Sequence, residues 1–267
     1  MLAKRLLVAI VLIPLGVGLI AIGGLPFGLF IMLVLGVAAW EYWNLYRLSG
    51  FAPSLVLVIG GVLVIALAAF FRPDYIIHCI VGLSLAAMTY HLVDYERGRD
   101  KAAVDFGITL GGMLYLGLIG SYLISLRNLP DGKWWLMLVL PSVWLADSGA
   151  FIIGSRFGKH LMSPRLSPRK TWEGFFGGVV FGTLGGLLLA ALWHIMAPAV
   201  TLERGALIGL ALSLLTPLGD LGESMIKRQA GVKDSSHILP GHGGVLDRID
   251  SWLWAGVIGY YIIIFLM

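Results

Sequence analysis

The sequence predicts an all-α, polytopic integral membrane protein, and three observations carry that reading. Hydrophobic residues make up 58% of the 267 and charged ones only 13%, with a mean hydropathy of +0.90, far from the balance of a soluble globular domain. Apolar runs of about 20 residues, each long enough to cross ~30 Å of hydrocarbon as a helix, recur from one end to the other. Almost no chain is left over for a soluble domain. The runs give nine expected spans, near residues 6–22, 25–46, 54–71, 75–93, 105–126, 133–157, 173–197, 205–226 and 248–267.

The first span follows Lys4 and Arg5 as a signal peptide would, but no A-x-A-like cleavage site precedes Leu25-Pro26 and a second span begins at once. It therefore reads as a retained helix. The second and third spans follow with short connections. The fourth holds Cys79, the chain's single cysteine, so an internal disulfide and a zinc site built on several thiolates are excluded. Cys79 itself reads as a small buried apolar residue. Before the fifth span, DYERGRDKAAVD is mixed in charge and reads as a solvated connector. Glycines crowd the fifth span (Gly107, Gly111, Gly112, Gly117, Gly120) and the seventh (Gly174, Gly177, Gly178, Gly182, Gly185, Gly186), where they permit close helix contact. Asp147 lies within the sixth span, Asp220 near the end of the eighth, and Asp247 and Asp250 where the ninth begins. No heptad, fixed-period repeat or low-complexity tract is present.

Polarity is distributed unevenly, and the expected division is functional. Residues 1–132 read as a scaffold of packing helices that also supplies a dimer contact, and 133–267 as the catalytic region, with polar loops at 154–172 and 227–247. In a nine-span topology, fifteen of the 19 Lys and Arg residues fall on the side of the N-terminus and these two loops, against Arg72, Arg127, Lys133 and Arg204 on the other. The positive-inside bias then makes the N-terminus and both loops cytoplasmic, in a multi-pass protein of the cell membrane. The net charge of +4 fits this topology and attraction to anionic lipid or phosphate, not nucleic-acid binding.

The chemistry is expected in the two loops. Asp220, Ser224 and Lys227, at i, i+4 and i+7, share one helical face with Glu223 beside them. A carboxylate at the centre of a membrane helix costs at least ~2.5 kcal/mol, so Asp220 needs a cation or a partner such as Lys227 or Arg228. Gly231 can end that helix, Lys233 and Asp234 open a hydrophilic stretch, and Pro240-Gly241-His242-Gly243-Gly244 forces a tight turn. Successive N–H groups in so glycine-rich a turn can point at phosphate oxygens. Asp247 and Asp250 follow at i, i+3 around Arg248; they could merely complement the helix dipole, but that leaves Arg248, His242 and the glycines without a purpose. In the other loop, Arg156, Lys159, Arg165, Arg169 and Lys170 make a dense positive field, and two Ser-Pro steps at 163–164 and 167–168 favour extended backbone. Nonspecific headgroup binding would explain the cations alone. Carboxylates that hold Mg²⁺, with Lys and Arg neutralising developing charge, are instead the apparatus of phosphoryl or nucleotidyl transfer, here with a lipid phosphate as one reactant.

The stretch SMIKRQAGVKDSSHILPGHGGVLDRID, Ser224 to Asp250, resembles the signature of the phosphatidate cytidylyltransferase (CDP-diacylglycerol synthase) family of bacterial type. About a dozen fixed positions over 27 residues make the likeness specific. DSGAFIIGSRFGKH followed by LSPRKTWEG resembles the family's other polar region. The resemblance implies the reaction CTP + phosphatidate → CDP-diacylglycerol + pyrophosphate, dependent on Mg²⁺, with K⁺ as a second cation, in a homodimer that uses no nucleic acid. It implies that Asp220 and Asp247 are the metal carboxylates and that Asp250 orients substrate or a metal ligand. Lys227, Arg228, Lys233, Arg248 and His242 would contact phosphates, with Ser224, Asp234, Gly243 and Gly244 in the same substrate-binding segment. Ser167, Arg169 and Lys170, with Trp172, Glu173 and Asp147, would belong to the nucleotide or headgroup site.

Two rivals share some of these features. A CTP-dependent polyprenol kinase would use the γ-phosphate and release CDP, and the long Ser224 to Asp250 match argues against it. An ion-coupled transporter could use Glu41, Asp147 and Asp220 as intramembrane sites, but it predicts inverted repeats, which the sequence lacks.

Overall fold

A computed structural model of the chain describes residues 2–239 and 243–266 and, within residues 2–12, the side chain of Ile10 only. The described residues are mostly helical, with two short strands, and form two compact units. The first comprises the chain up to Ser125 together with Ile226–Ile249, and the second comprises Leu126–Met225 with the chain from Asp250. The segment bearing the family signature thus belongs, in large part, to the unit of the N-terminal helices.

The first unit contains α1 (Leu2–Ile22), α2 (Gly24–Leu48), α3 (Leu55–Phe71), α4 (Ile76–Glu96) and α5 (Ala102–Gly112), the last running on through a wider-wound turn at Met113–Ile119 into α6 (Gly120–Arg127), whose last two residues belong to the second. Phe27, Ile31, Leu35, Ala38, Tyr42 and Leu45 form the buried stripe of α2 at helical spacing, and Val58, Val62, Ile65 and Ala69 that of α3. The Tyr42 hydroxyl donates to the Ile108 carbonyl at 3.1 Å, tying α2 to α5. Asp105, fully buried in the first turn of α5, accepts from the Ala52 N–H (2.9 Å) and from Arg99 Nε (2.7 Å), which fastens the α2–α3 loop.

The second unit is built on α7 (Gly132–Phe157), α8 (Trp172–Trp193) and α9 (Leu202–Leu215), with a hairpin of β1 (Leu161–Ser163) and β2 (Ser167–Thr171) between the first two. α10 (Pro217–Gln229) and α11 (Leu246–Leu266) each begin in one unit and end in the other. The expected helix contact through glycine is present: a Cβ added to Gly186 would lie 3.0 Å from Gly209 Cα, so only glycine lets α8 and α9 approach this closely.

Among the described residues seven helices are long and apolar enough to cross a membrane; α3, with 17 residues, and the stretch Ile13–Ile22 of α1 are shorter apolar helices. The expected eighth span is one apolar stretch, Leu202–Gln229, but it is interrupted. Pro217 has no N–H to continue the ladder, so α9 stops at Leu215 and α10 starts afresh at the proline. The Ser-Pro steps lie in the hairpin, where extended backbone was expected.

Candidate active site

The second unit gathers three carboxylates. α10 starts at Pro217, so Asp220 falls in its first turn and Glu223 and Ser224 in the next. Gly219 lets this turn lie against α11: a Cβ there would sit 2.7 Å from the Asp250 carbonyl and 2.6 Å from Trp254 Cδ1. The contact brings Asp250 to Asp220 and Glu223, with one oxygen from each of the three within 4.8 Å of the others. Glu223 is 1% exposed and Asp250 8%. Two ionised carboxylates at that separation repel by about 3–4 kcal/mol at an effective dielectric constant of ~20, so the cluster calls for positive charge.

Lys170 supplies some of it, its Nζ lying 2.6 Å from Asp220 Oδ2, while Ser224 Oγ donates to Oδ1 at 3.3 Å. The hairpin aims Lys170. β1 and β2 pair Leu161 with Thr171 and Ser163 with Ser167, and Thr171 Oγ1 then caps α8 by accepting from the Gly174 N–H at 3.2 Å. Glu173 clasps the base of the hairpin: it accepts from the N–H groups of Lys159 (3.1 Å) and His160 (3.2 Å) and lies 2.5 Å from His160 Nδ1. Ser167 is half-buried; Arg169, Trp172 and Asp147 are exposed.

The first unit holds a different network. Gly231, at φ 70°, ends α10; its N–H donates to the Arg228 carbonyl and that of Val232 to the Lys227 carbonyl, which turns the chain away. Lys227, 9% exposed, reaches Asp247 Oδ1 at 2.5 Å. Asp247 Oδ2 accepts from the N–H of Ser235 (2.9 Å), its hydroxyl (2.8 Å) and the Gly244 N–H (2.7 Å). Among the described residues of the glycine turn, the Gly244 N–H is thus engaged by the protein's own carboxylate. Gly243 has φ 83°, the left-handed conformation that glycine adopts without strain. Arg228, Lys233, Asp234 and Arg248 are exposed on this unit, and His242 lies outside the described residues.

From residue 3 to residue 266 the sequence matches the family model described as the cytidylyltransferase family. The chain belongs to that family. Curated relatives named phosphatidate cytidylyltransferase include one from Pseudomonas aeruginosa, 38% identical over 94% of this chain and 93% of its own length. One from Bacillus subtilis is 37% identical over 92% and 91%, and one from a Synechocystis strain is 32% identical over 99% and 97%.

Within this cytidylyltransferase, the metal pair expected from the sequence was Asp220 with Asp247. The structure groups Asp220 with Glu223 and Asp250 in the second unit, and sets Asp247 beside Lys227 and Ser235 in the first. Sequence reasoning gave Glu41, Ser235 and Ser236 no part in the enzyme. Glu41 carried one usable signal, an ionisable residue inside an apolar span. The two serines carried none, since hydroxyls in a polar loop are unremarkable.

Proposed function

We infer that the chain transfers the cytidylyl group of CTP to phosphatidate, giving CDP-diacylglycerol and pyrophosphate in phospholipid synthesis. Its relatives' name is the starting point, and the observation that carries the reading is the convergence of Asp220, Glu223 and Asp250, with Lys170 on Asp220. All-oxygen donors of this kind suit a hard divalent cation, so the residues present fit Mg²⁺. When bound, Mg²⁺ offsets the charge of the CTP triphosphate. The family resemblance implies Asp247 as a further metal carboxylate and K⁺ as a second cation; with Lys227, Ser235 and Gly244 on it, Asp247 is proposed as the group that places Lys227.

The attacking group is a phosphate oxygen of phosphatidate, already anionic at neutral pH, and it displaces pyrophosphate from the α-phosphorus of CTP. A general base is therefore not required, and acceleration rests on alignment and charge neutralisation. Lys227 and Arg248 neutralise phosphate oxygens, and Lys170 balances the charge of Asp220; Asp247 holds the Lys227 ammonium in one place; Arg169, Arg228 and Lys233 draw the anionic reactants in. The 154–172 and 227–247 loops face the cytoplasm, where CTP is, in a nine-span homodimer of the cell membrane. A polyprenol kinase or an ion-coupled transporter finds no support in the relatives' names.

Label placement tests the reaction. With purified protein in mixed micelles, radiolabel on the α-phosphate of CTP should enter lipid and label on the γ-phosphate should leave as pyrophosphate; transfer of the γ label to lipid would refute the reading. Cysteine labelling at Ser163 tests the topology, and reaction only from the outer face would reverse it.

A further inference from the structure

Glu41 is fully buried, 0% exposed, on α2 and far in sequence from the signature segment. Oε1 accepts from the Ser236 hydroxyl at 2.5 Å and the Val245 N–H at 3.0 Å. Oε2 accepts from the Ser235 hydroxyl at 3.2 Å and the Leu246 N–H at 2.7 Å. Two of these donors open α11, where the helix leaves its first N–H groups without partners of their own. The other two belong to the loop after α10. One carboxylate thus ties together both ends of the segment that passes through the glycine turn.

Glu41 is coupled to Asp247 through Ser235. The Ser235 hydroxyl lies within hydrogen-bonding distance of both carboxylates, and its N–H also donates to Asp247. Gly244, whose N–H fixes the same Asp247 oxygen, has its α-carbon against Glu41: a Cβ there would lie 2.6 Å from Oε1 and 2.7 Å from Oε2. The donors that orient Asp247 therefore sit on backbone that Glu41 holds.

We propose that Glu41 is a positioning residue for the cytidylyltransferase reaction, a fixed internal acceptor that ties Ser235 and Ser236 to Val245 and Leu246 and through which Asp247 and Lys227 are aligned. It touches no reactant. Neutral replacement cannot reproduce it, because each oxygen accepts from one hydroxyl and one backbone N–H. A hydroxyl can rotate to accept from an amide nitrogen; a backbone N–H cannot, so Glu41→Gln sets one N–H against another whichever way the amide turns.

The inference rests on the reading that Asp247 acts in the reaction, and measurements on the whole chain separate the two. In Glu41→Gln, cytidylyl transfer should fall about 30-fold or more, and amide exchange at Val245 and Leu246 should quicken at least about tenfold while α7 is unchanged. Ser236→Ala, which removes a partner of Glu41 and not of Asp247, should lower turnover by about 3–10-fold. The double variant should be no worse than Glu41→Gln alone, because both remove one network. Turnover within about twofold of wild type in Glu41→Gln, unchanged amide exchange, or additive losses would each overturn the proposal. If Glu41→Gln does not fold, Ser236→Ala decides by the same two readouts. Full activity in Asp247→Asn would defeat the site reading and with it the route assigned to Glu41, whereas the exchange measurement reports on Glu41 and the loop whatever Asp247 does.

Discussion

The two units hold their carboxylates in opposite ways. In the first, Glu41 and Asp247 are wrapped in donors: two N–H groups and the Ser236 hydroxyl on one, a lysine and two N–H groups on the other, with the single Ser235 hydroxyl between them. In the second, Asp220, Glu223 and Asp250 gather their oxygens within 4.8 Å of one another, with Lys170 and Ser224 on Asp220 and the Ser251 N–H on Asp250. Buried carboxylates saturated with hydrogen bonds fix backbone, because leaving any donor unmatched in a buried site costs about 1–3 kcal/mol. Carboxylates set against each other store repulsion that a cation relieves. The first arrangement is suited to order and the second to binding charge, and substitutions should separate the two.

The largest loss is expected for Asp220→Ala: turnover down about 10³-fold or more, not recovered by raising Mg²⁺, with amide exchange at residues 243–249 as in wild type. A variant with near-normal turnover would remove the cluster from the reaction. Asp247→Asn should follow, losing about 10²-fold, because Lys227 would keep its charge but lose the anion that places it. Here exchange in residues 243–249 should rise as well, the signature of a network that orders the chain.

Gly244→Ala and Gly243→Ala test the turn at finer scale. The first puts a methyl group onto Ser235 and Glu41 and should reduce turnover about 10–100-fold with accelerated exchange at residue 246. The second keeps those contacts but forces alanine into positive φ and close to Asp247 Oδ2, and about a 3–10-fold loss is expected. Equal effects would mean that backbone conformation, not the Glu41 contact, governs the turn. The smallest change is expected for Lys170→Met, about threefold in turnover. Its ammonium competes for Asp220 with any bound cation, so half-saturating Mg²⁺ should fall; an unchanged Mg²⁺ dependence would place Lys170 outside the cation's reach.

Bilayer thickness made most of the fold legible. A run near 133–157 has little choice but to be a helix of that length, and the structure gives Gly132–Phe157. Ser-Pro steps announced extended backbone at the hairpin for an equally local reason. Pro217 could have been read as a break, but its flanks are apolar and the stretch looked continuous. The site was legible only as an inventory. Asp220, Lys227 and Asp247 declare themselves by charge, whereas which groups meet depends on approaches no spacing encodes. Lys170 reaches Asp220 from a hairpin 50 residues earlier, and Glu41 accepts from an N–H 205 residues away. The glycine turn shows the same limit: its composition suggested N–H groups able to point at phosphate, and nothing local said that the Gly244 N–H would meet Asp247.

The chain enters the first unit, leaves it after Ser125, and returns only at Ile226. A ribosome therefore delivers Glu41 about 200 residues before its partners, and at some 5–20 residues per second the carboxylate waits roughly 10–40 seconds inside an otherwise completed stripe of α2. Until Ser235 and Leu246 emerge, that position can be satisfied only by water, a lipid headgroup or a proton. Nascent α2 should accordingly ride high toward the interface during synthesis and settle last, making closure of the signature segment the step that commits the N-terminal helices to their final depth.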